Sequence, residues 1–127
     1  MNLFIDHFLI VVKDLNESLN FYKLLGFKHI KTVQRTNDVL GVMQKEKIKL
    51  ELMMLSEGKE TYRVPRVDSD IGFRHIGFKV KDIQTVYDYY KDKIIFRGHP
   101  QESPGRGGRK ILFFEDPNGI ELHFIQE

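Results

Sequence analysis

Apolar and polar residues alternate along several stretches of the chain, and two other stretches repeat at the spacing of a helix. Alternation with period two marks strands with one covered face, and a 3.6-residue period marks an amphipathic helix. The pattern predicts a strand at about 4–12, with Asp14 placed to cap the helix that follows. That helix runs over about 15–25, with Leu15, Leu19, Tyr22 and Leu25 on one side, and Gly26 stops it. Strands are expected at about 28–34, 38–44 and 47–55, with Asn37-Asp38 at the first turn. The stretch from Ser56 to Gly72 carries Gly58, Pro65 and many charges and reads as a connector. A strand at about 73–80, a helix at 83–92 and strands at about 94–99, 109–115 and 119–126 complete the chain. Pro117-Asn118-Gly119 is a hairpin signal between the last two.

The second set of elements repeats the first. His7-Phe8-Leu9-Ile10-Val11-Val12-Lys13-Asp14-Leu15 resembles His75-Ile76-Gly77-Phe78-Lys79-Val80-Lys81-Asp82-Ile83, and at the same offset Phe21-Tyr22 matches Tyr89-Tyr90. Near the end of each half, Leu50-Glu51-Leu52 resembles Ile120-Glu121-Leu122. Each half thus places one histidine near its start and one glutamate near its end.

Alternation assigns these four residues a common face. Phe8, Ile10 and Val12, Leu50 and Leu52, Ile76, Phe78 and Val80, and Ile120, Leu122 and Phe124 form the helix-packing sides of their strands. His7, Glu51, His75 and Glu121 then all face away from the helices, together with His123. If each half curls, that face lines the inside of a cleft. Two carboxylates in a partly apolar cleft are costly unless neutralised. A divalent cation would neutralise them and give all four side chains one purpose; paired His–Glu hydrogen bonds without a metal are the alternative. Imidazole and carboxylate donors suit Ni, Zn, Fe, Co or Mn.

Composition narrows the function classes. The chain has 127 residues, 41% hydrophobic and 30% charged, which is enough for a core and a solvated surface. No cysteine is present, which excludes disulfides, thiolate metal sites and cysteine nucleophiles. The net charge is +2 with scattered basic residues, so no nucleic-acid partner is expected. No stretch is apolar enough to span a bilayer, and no signal peptide is expected in front of Asp6. A cytoplasmic location and no membrane partner are the resulting expectations.

The ordered set of motifs resembles the vicinal oxygen chelate superfamily. That superfamily includes glyoxalase I, methylmalonyl-CoA epimerase, fosfomycin resistance enzymes, extradiol dioxygenases and bleomycin-binding proteins. The resemblance rests on Asp6-His7 through Phe21-Tyr22 with Leu25-Gly26-Phe27, on Leu50-Glu51-Leu52, on Arg74-His75-Ile76-Gly77-Phe78, and on Glu115-Asp116-Pro117-Asn118-Gly119-Ile120-Glu121-Leu122. It implies an α+β fold: one domain over 1–127, made of two βαβββ modules (1–58 and 73–127, connector 59–72) forming a curled mixed sheet with a metal-binding cleft. It implies a divalent metal on His7, Glu51, His75 and Glu121, and a pairing of modules either within one chain or, as in glyoxalase I and as expected here, across a homodimer in which first-half ligands of one chain meet second-half ligands of the other. Glu51 favours the glyoxalase I pattern, because the epimerase usually has Gln there and the dioxygenases and fosfomycin enzymes use three protein ligands. The implied reaction converts the hemithioacetal of a 2-oxoaldehyde and a thiol into a 2-hydroxyacyl thioester through an enediolate, with Glu121 as base and Glu51 assisting. Another metal-dependent reaction of the superfamily, or non-catalytic binding of a small molecule, are the alternatives. The connector from Tyr62 to Asp70 and the short turn Phe21–Gly26 differ from the glyoxalase I pattern, so the thiol stays open.

Substrate contacts are expected elsewhere. The loop Ser103 to Lys110 is glycine-rich and basic; Arg106, Arg109 and Lys110 would close over a bound small molecule and hold its carboxylate, or else form a solvated hairpin loop. His123 shares a face with Glu121 and is a further candidate contact. His29 and His99 read as surface residues, and Met53 and Met54 as packing.

Overall fold

The computed structural model of the chain describes residues 1–58, 61 and 68–127. Most of the expected connector, including the Tyr62–Asp70 difference up to residue 67, lies outside the described residues. Contacts divide the chain into two compact units, Met1–Tyr62 and Arg63–Glu127.

In the first unit the order is β1 (His7–Val11), α1 (Leu15–Leu24), β2 (Lys28–Gln34), β3 (Asp38–Lys45) and β4 (Ile48–Leu55). The sheet order is β1-β4-β3-β2, with β1 parallel to β4 and the other pairs antiparallel. The first strand is shorter than its alternation suggests, because Phe4 and Ile5 stay exposed before it. Asp14 caps α1 by accepting the backbone N–H of Glu17 at 2.9 Å. Gly26 ends the helix at φ 91°, a backbone conformation that side chains disfavour. Leu15, Leu19 and Tyr22 turn one side of α1 onto the sheet. The helix lies so close to β3 that a Cβ at Gly41 would stand 2.9 Å from Leu15. Val12, Tyr22, Met43, Leu50 and Leu52 are the buried centre of this unit. Each such side chain contributes about 1.5–3 kcal/mol by leaving water.

The second unit repeats the plan with β5 (His75–Val80), α2 (Ile83–Tyr90), β6 (Gln101–Glu102), β7 (Lys110–Glu115) and β8 (Glu121–Gln126). Its order is β5-β8-β7-β6, again with the first pair parallel. Asp82 caps α2 through the N–H groups of Gln84 and Thr85. The turn before β8 is built on Asp116, whose Oδ1 accepts from the backbone N–H of Asn118 at 2.8 Å and of Ile120 at 2.9 Å. Leu112, Phe114, Leu122 and Phe124 fill the space under α2, where the Tyr90 ring stacks on Phe124.

One expected strand is absent. Residues 94–99 do not form a strand; they make a single bridge, Phe96 to Phe114, and the regular pairing begins only at Gln101. Ile94 is drawn into the end of α2, where its N–H donates to the carbonyl of Tyr90 at 2.8 Å. Gly98 and Pro100 then interrupt pairing before it can extend. The α+β architecture of two βαβββ units with mixed sheets otherwise stands, and each sheet stays open. No helix among the described residues is long and apolar enough to cross a membrane.

Candidate functional site

The two sheets carry the same pair of chemical groups on the face opposite their helix. In the first unit, β1 offers His7 and β4 offers Glu51. The register places His7 beside Lys49 and Leu9 beside Glu51, so the carboxylate lies two residues further along its strand. His7 Nε2 stands 3.6 Å from Glu51 Oε1. The other ring nitrogen of His7, Nδ1, is 2.8 Å from Asp6 Oδ2. The hydrogen bond with His7 and the charge of Lys49 hold the Asp6 carboxyl below its ordinary range, so it is ionised and can only accept. Nδ1 therefore donates to Asp6, and Nε2 is the ring nitrogen left facing the Glu51 carboxylate. A proton on Nε2, or a cation held between the two groups, would satisfy this contact. Arg35 lies near but is bonded to Asp38 Oδ1 at 2.6 Å and to Met53.

In the second unit the pairing is direct. His75 and Glu121 are register partners, and His75 Nδ1 lies 2.9 Å from Glu121 Oε2. Arg97, which the sequence did not single out, donates from Nη1 to Glu121 Oε1 at 2.8 Å and from Nη2 to Glu115. Burial alone would raise the pKa of Glu121. The hydrogen bonds from His75 and Arg97 outweigh it and hold the carboxyl below its ordinary range.

His123 sits on the same face, one register step from this pair. It lies opposite Gly77 on β5 and Phe113 on β7. Its ring centroid is 4.4 Å from that of His75 and 5.0 Å from that of Phe113. The residue is 3% exposed, and its Nδ1 has no hydrogen-bond partner among the described residues. Burial, with smaller contributions from the charges of His75 and Arg106, pushes its pKa down to about 4, against the opposing pull of Glu121. The ring fits because residue 77 is glycine. A Cβ there would stand 2.4 Å from His123 Nε2. Gly77→Ala is therefore expected to cost about 1–3 kcal/mol, the usual penalty for overpacking, read as a lower urea midpoint with an unchanged slope. An unaltered midpoint would show that the niche is slack.

The basic loop divides. Arg109 spends its Nε–H on the carbonyl of Gln126 at 2.8 Å, tying the loop to the end of β8. Arg106 lies close enough to act on His123 through space. Lys110 falls on the opposite side of the β7 alternation from Phe113 and Glu115, and its charge acts on the cap residue Asp82. His29 is exposed and bonded to Thr32, and His99 is exposed beside the ring of Tyr87, as expected of surface residues.

Within either unit, and among the described residues, no three His, Asp or Glu side chains gather as a metal-ligand set. Each unit instead offers one imidazole and one carboxylate. Nitrogen and oxygen donors of this kind fit a borderline divalent ion.

The family model of the glyoxalase/bleomycin resistance protein/dioxygenase superfamily matches residues 4–124. A protein of Synechocystis sp. named "Probable lactoylglutathione lyase" is 30% identical to this chain, covering 98% of it and 95% of that protein. Among solved structures, a glyoxalase family protein from Enterococcus faecalis superposes with a TM-score of 0.82 at 25% identity, covering 96% of both chains. A glyoxalase I mutant from Zea mays shares the fold with a TM-score of 0.74 at 21% identity, over 96% of this chain and 44% of that one.

Proposed function

Because the chain belongs to the glyoxalase/bleomycin resistance protein/dioxygenase superfamily, we propose that it is a divalent-metal enzyme of the glyoxalase I type. Its substrate would be the hemithioacetal of a 2-oxoaldehyde such as methylglyoxal and a thiol, and its product a 2-hydroxyacyl thioester. The observation that carries this reading is the doubled pair: an imidazole and a carboxylate on the helix-free face of each sheet, at 3.6 Å in His7–Glu51 and 2.9 Å in His75–Glu121. A relative named for the lactoylglutathione reaction supports the choice of chemistry.

His7, Glu51, His75 and Glu121 would together hold one Ni, Zn, Fe, Co or Mn ion, with the two pairs contributed by two chains of a homodimer. Such an ion, when bound, would supply Lewis-acid stabilisation of negative charge on the substrate oxygens. The chain's own residues do the rest. Glu121, kept ionised by His75 and Arg97, removes the proton from the substrate carbon that carries the thiol, and Glu51 serves the neighbouring carbon. Returning a proton to that neighbouring carbon, while the hydroxyl proton of the first carbon passes to the oxygen of the second, completes the isomerisation with no net loss of atoms. Arg106 would hold a substrate carboxylate, and His123 would contact the substrate beside His75; the action of Arg106 on His123 through space supports grouping them. Arg109 ties the loop to the end of β8.

The test is turnover of methylglyoxal with glutathione, or with another small thiol, by nickel- and zinc-loaded protein, followed as thioester absorbance. Thioester formation that needs the metal is the expected result. If loaded protein turns over no thiol adduct, the isomerase reading is wrong, and metal-dependent chemistry on another substrate takes its place.

A further inference from the structure

The second unit carries an arginine that the proposed chemistry has not used beyond its effect on charge. Glu115 on β7 and Glu121 on β8 are direct antiparallel partners. Two like charges so placed repel each other. Arg97 reaches both carboxylates, with Nη1 on Glu121 Oε1 at 2.8 Å and Nη2 on Glu115. Its main chain is fixed as well: its backbone N–H donates to the carbonyl of Phe113 at 2.9 Å, beyond the end of the regular pairing. The guanidinium is thus anchored by backbone at one end and by Glu115 at the other. Its remaining prong takes one oxygen of Glu121, while His75 takes the other at 2.9 Å. A planar guanidinium that bridges two carboxylates fixes the direction of each of its bonds, which a flexible ammonium does not.

The first unit shows what the fork adds. There the nearby arginine, Arg35, is bonded to Asp38 and reaches Glu51 only through space. Among the described residues, one glutamate is therefore clamped by an arginine and the other is not.

We propose that Arg97 is a positioning residue for Glu121: it sets the carboxylate orientation in which Glu121 ligates the metal and meets the substrate proton, with Glu115 as its anchor. This rests on the reading of Glu121 as a metal ligand. Residues that orient a ligand typically change metal affinity or activity by about 10–100-fold when replaced.

The sign of the effect separates positioning from simple charge. A cation beside a metal site repels the incoming ion, so on charge alone Arg97→Met would tighten metal binding. Positioning predicts that it weakens. The experiment is a cobalt(II) titration of metal-free protein, read by the visible absorption bands of the bound ion, with kcat and KM measured on the same samples. Arg97→Lys keeps the charge that separates Glu115 from Glu121, so it protects the fold while removing the fork. Arg97→Lys and Arg97→Met are expected to bind cobalt about 10–100-fold more weakly, with altered bands and a loss in kcat rather than in KM. Glu115→Gln, which loosens the anchor but leaves the Glu121 contact and an acceptor for Nη2 in place, is expected to weaken cobalt binding by less than Arg97→Lys. Cobalt binding that is unchanged or tighter in Arg97→Lys overturns the proposal while leaving the metal reading intact. If the unaltered chain takes up no cobalt, the ligand reading fails and this proposal falls with it.

Discussion

Replacing Glu121 with glutamine is expected to lower turnover by about 10²–10⁴-fold, the usual contribution of a positioned general base. Glutamine keeps the size of the side chain and one acceptor oxygen but cannot take a proton. It also cannot accept on both sides as the carboxylate does. In the folded chain, Oε2 accepts from His75 and Oε1 from Arg97, and each partner favours the ionised form. The residue is only part-buried, so its loss should disturb the fold far less than the chemistry. The check is kcat of the metal-loaded variant beside its urea midpoint. A large fall in kcat with a nearly constant midpoint supports the assignment. Near-normal turnover would move the base to Glu51, whose side chain makes the looser contact with its histidine.

The second large effect is on stability in mild acid. His123 is buried with a pKa pushed down to about 4 from an ordinary 6.5. Between those two values the unfolded chain binds a proton at this position that the folded chain refuses. Lowering the pH through this window therefore favours unfolding, while above 6.5 His123 contributes no pH dependence. The full loss by pH 4 is on the order of 3 kcal/mol, since each pKa unit is worth about 1.4 kcal/mol. His123→Phe keeps a ring in the niche beside Gly77 and removes the proton-binding group, so its stability should vary little over the same range. Urea melts at pH 7 and pH 4.5, with chelator present to keep the protein metal-free, measure the difference. Equal acid sensitivity in the two proteins would mean that another group carries it.

The sequence shows most of the fold because its signals are local. Alternation in His7–Val11, Ile48–Leu55 and His75–Val80, the caps Asp14 and Asp82, and the stop at Gly26 each act within a few residues. The same alternation is enough to place His7, Glu51, His75 and Glu121 on one kind of face. The absent strand at 94–99 shows the limit. Ile94-Ile95-Phe96 has strand-like residues, but the end of α2 competes for Ile94, and Gly98 and Pro100 cut the pairing short.

What the sequence hides are facts of register between strands. Arg97 looks like an ordinary surface cation until β7 and β8 bring Glu115 and Glu121 side by side beneath it. The niche around His123 is equally invisible, because the glycine that opens it lies on another strand. The two-residue difference between the His7–Glu51 and His75–Glu121 pairings likewise appears only in the parallel register. Lys110 neighbours Arg106 and Arg109 along the chain, but strand alternation sends it to the helix side, toward Asp82.

Metal stoichiometry and affinity test the central claim most directly. Metal-free protein titrated with zinc or nickel is expected to bind a single ion per chain, and binding should weaken sharply in each of His7→Ala, Glu51→Gln, His75→Ala and Glu121→Gln. A chain that binds no divalent ion, or one whose binding is unchanged in Glu51→Gln, would contradict the account.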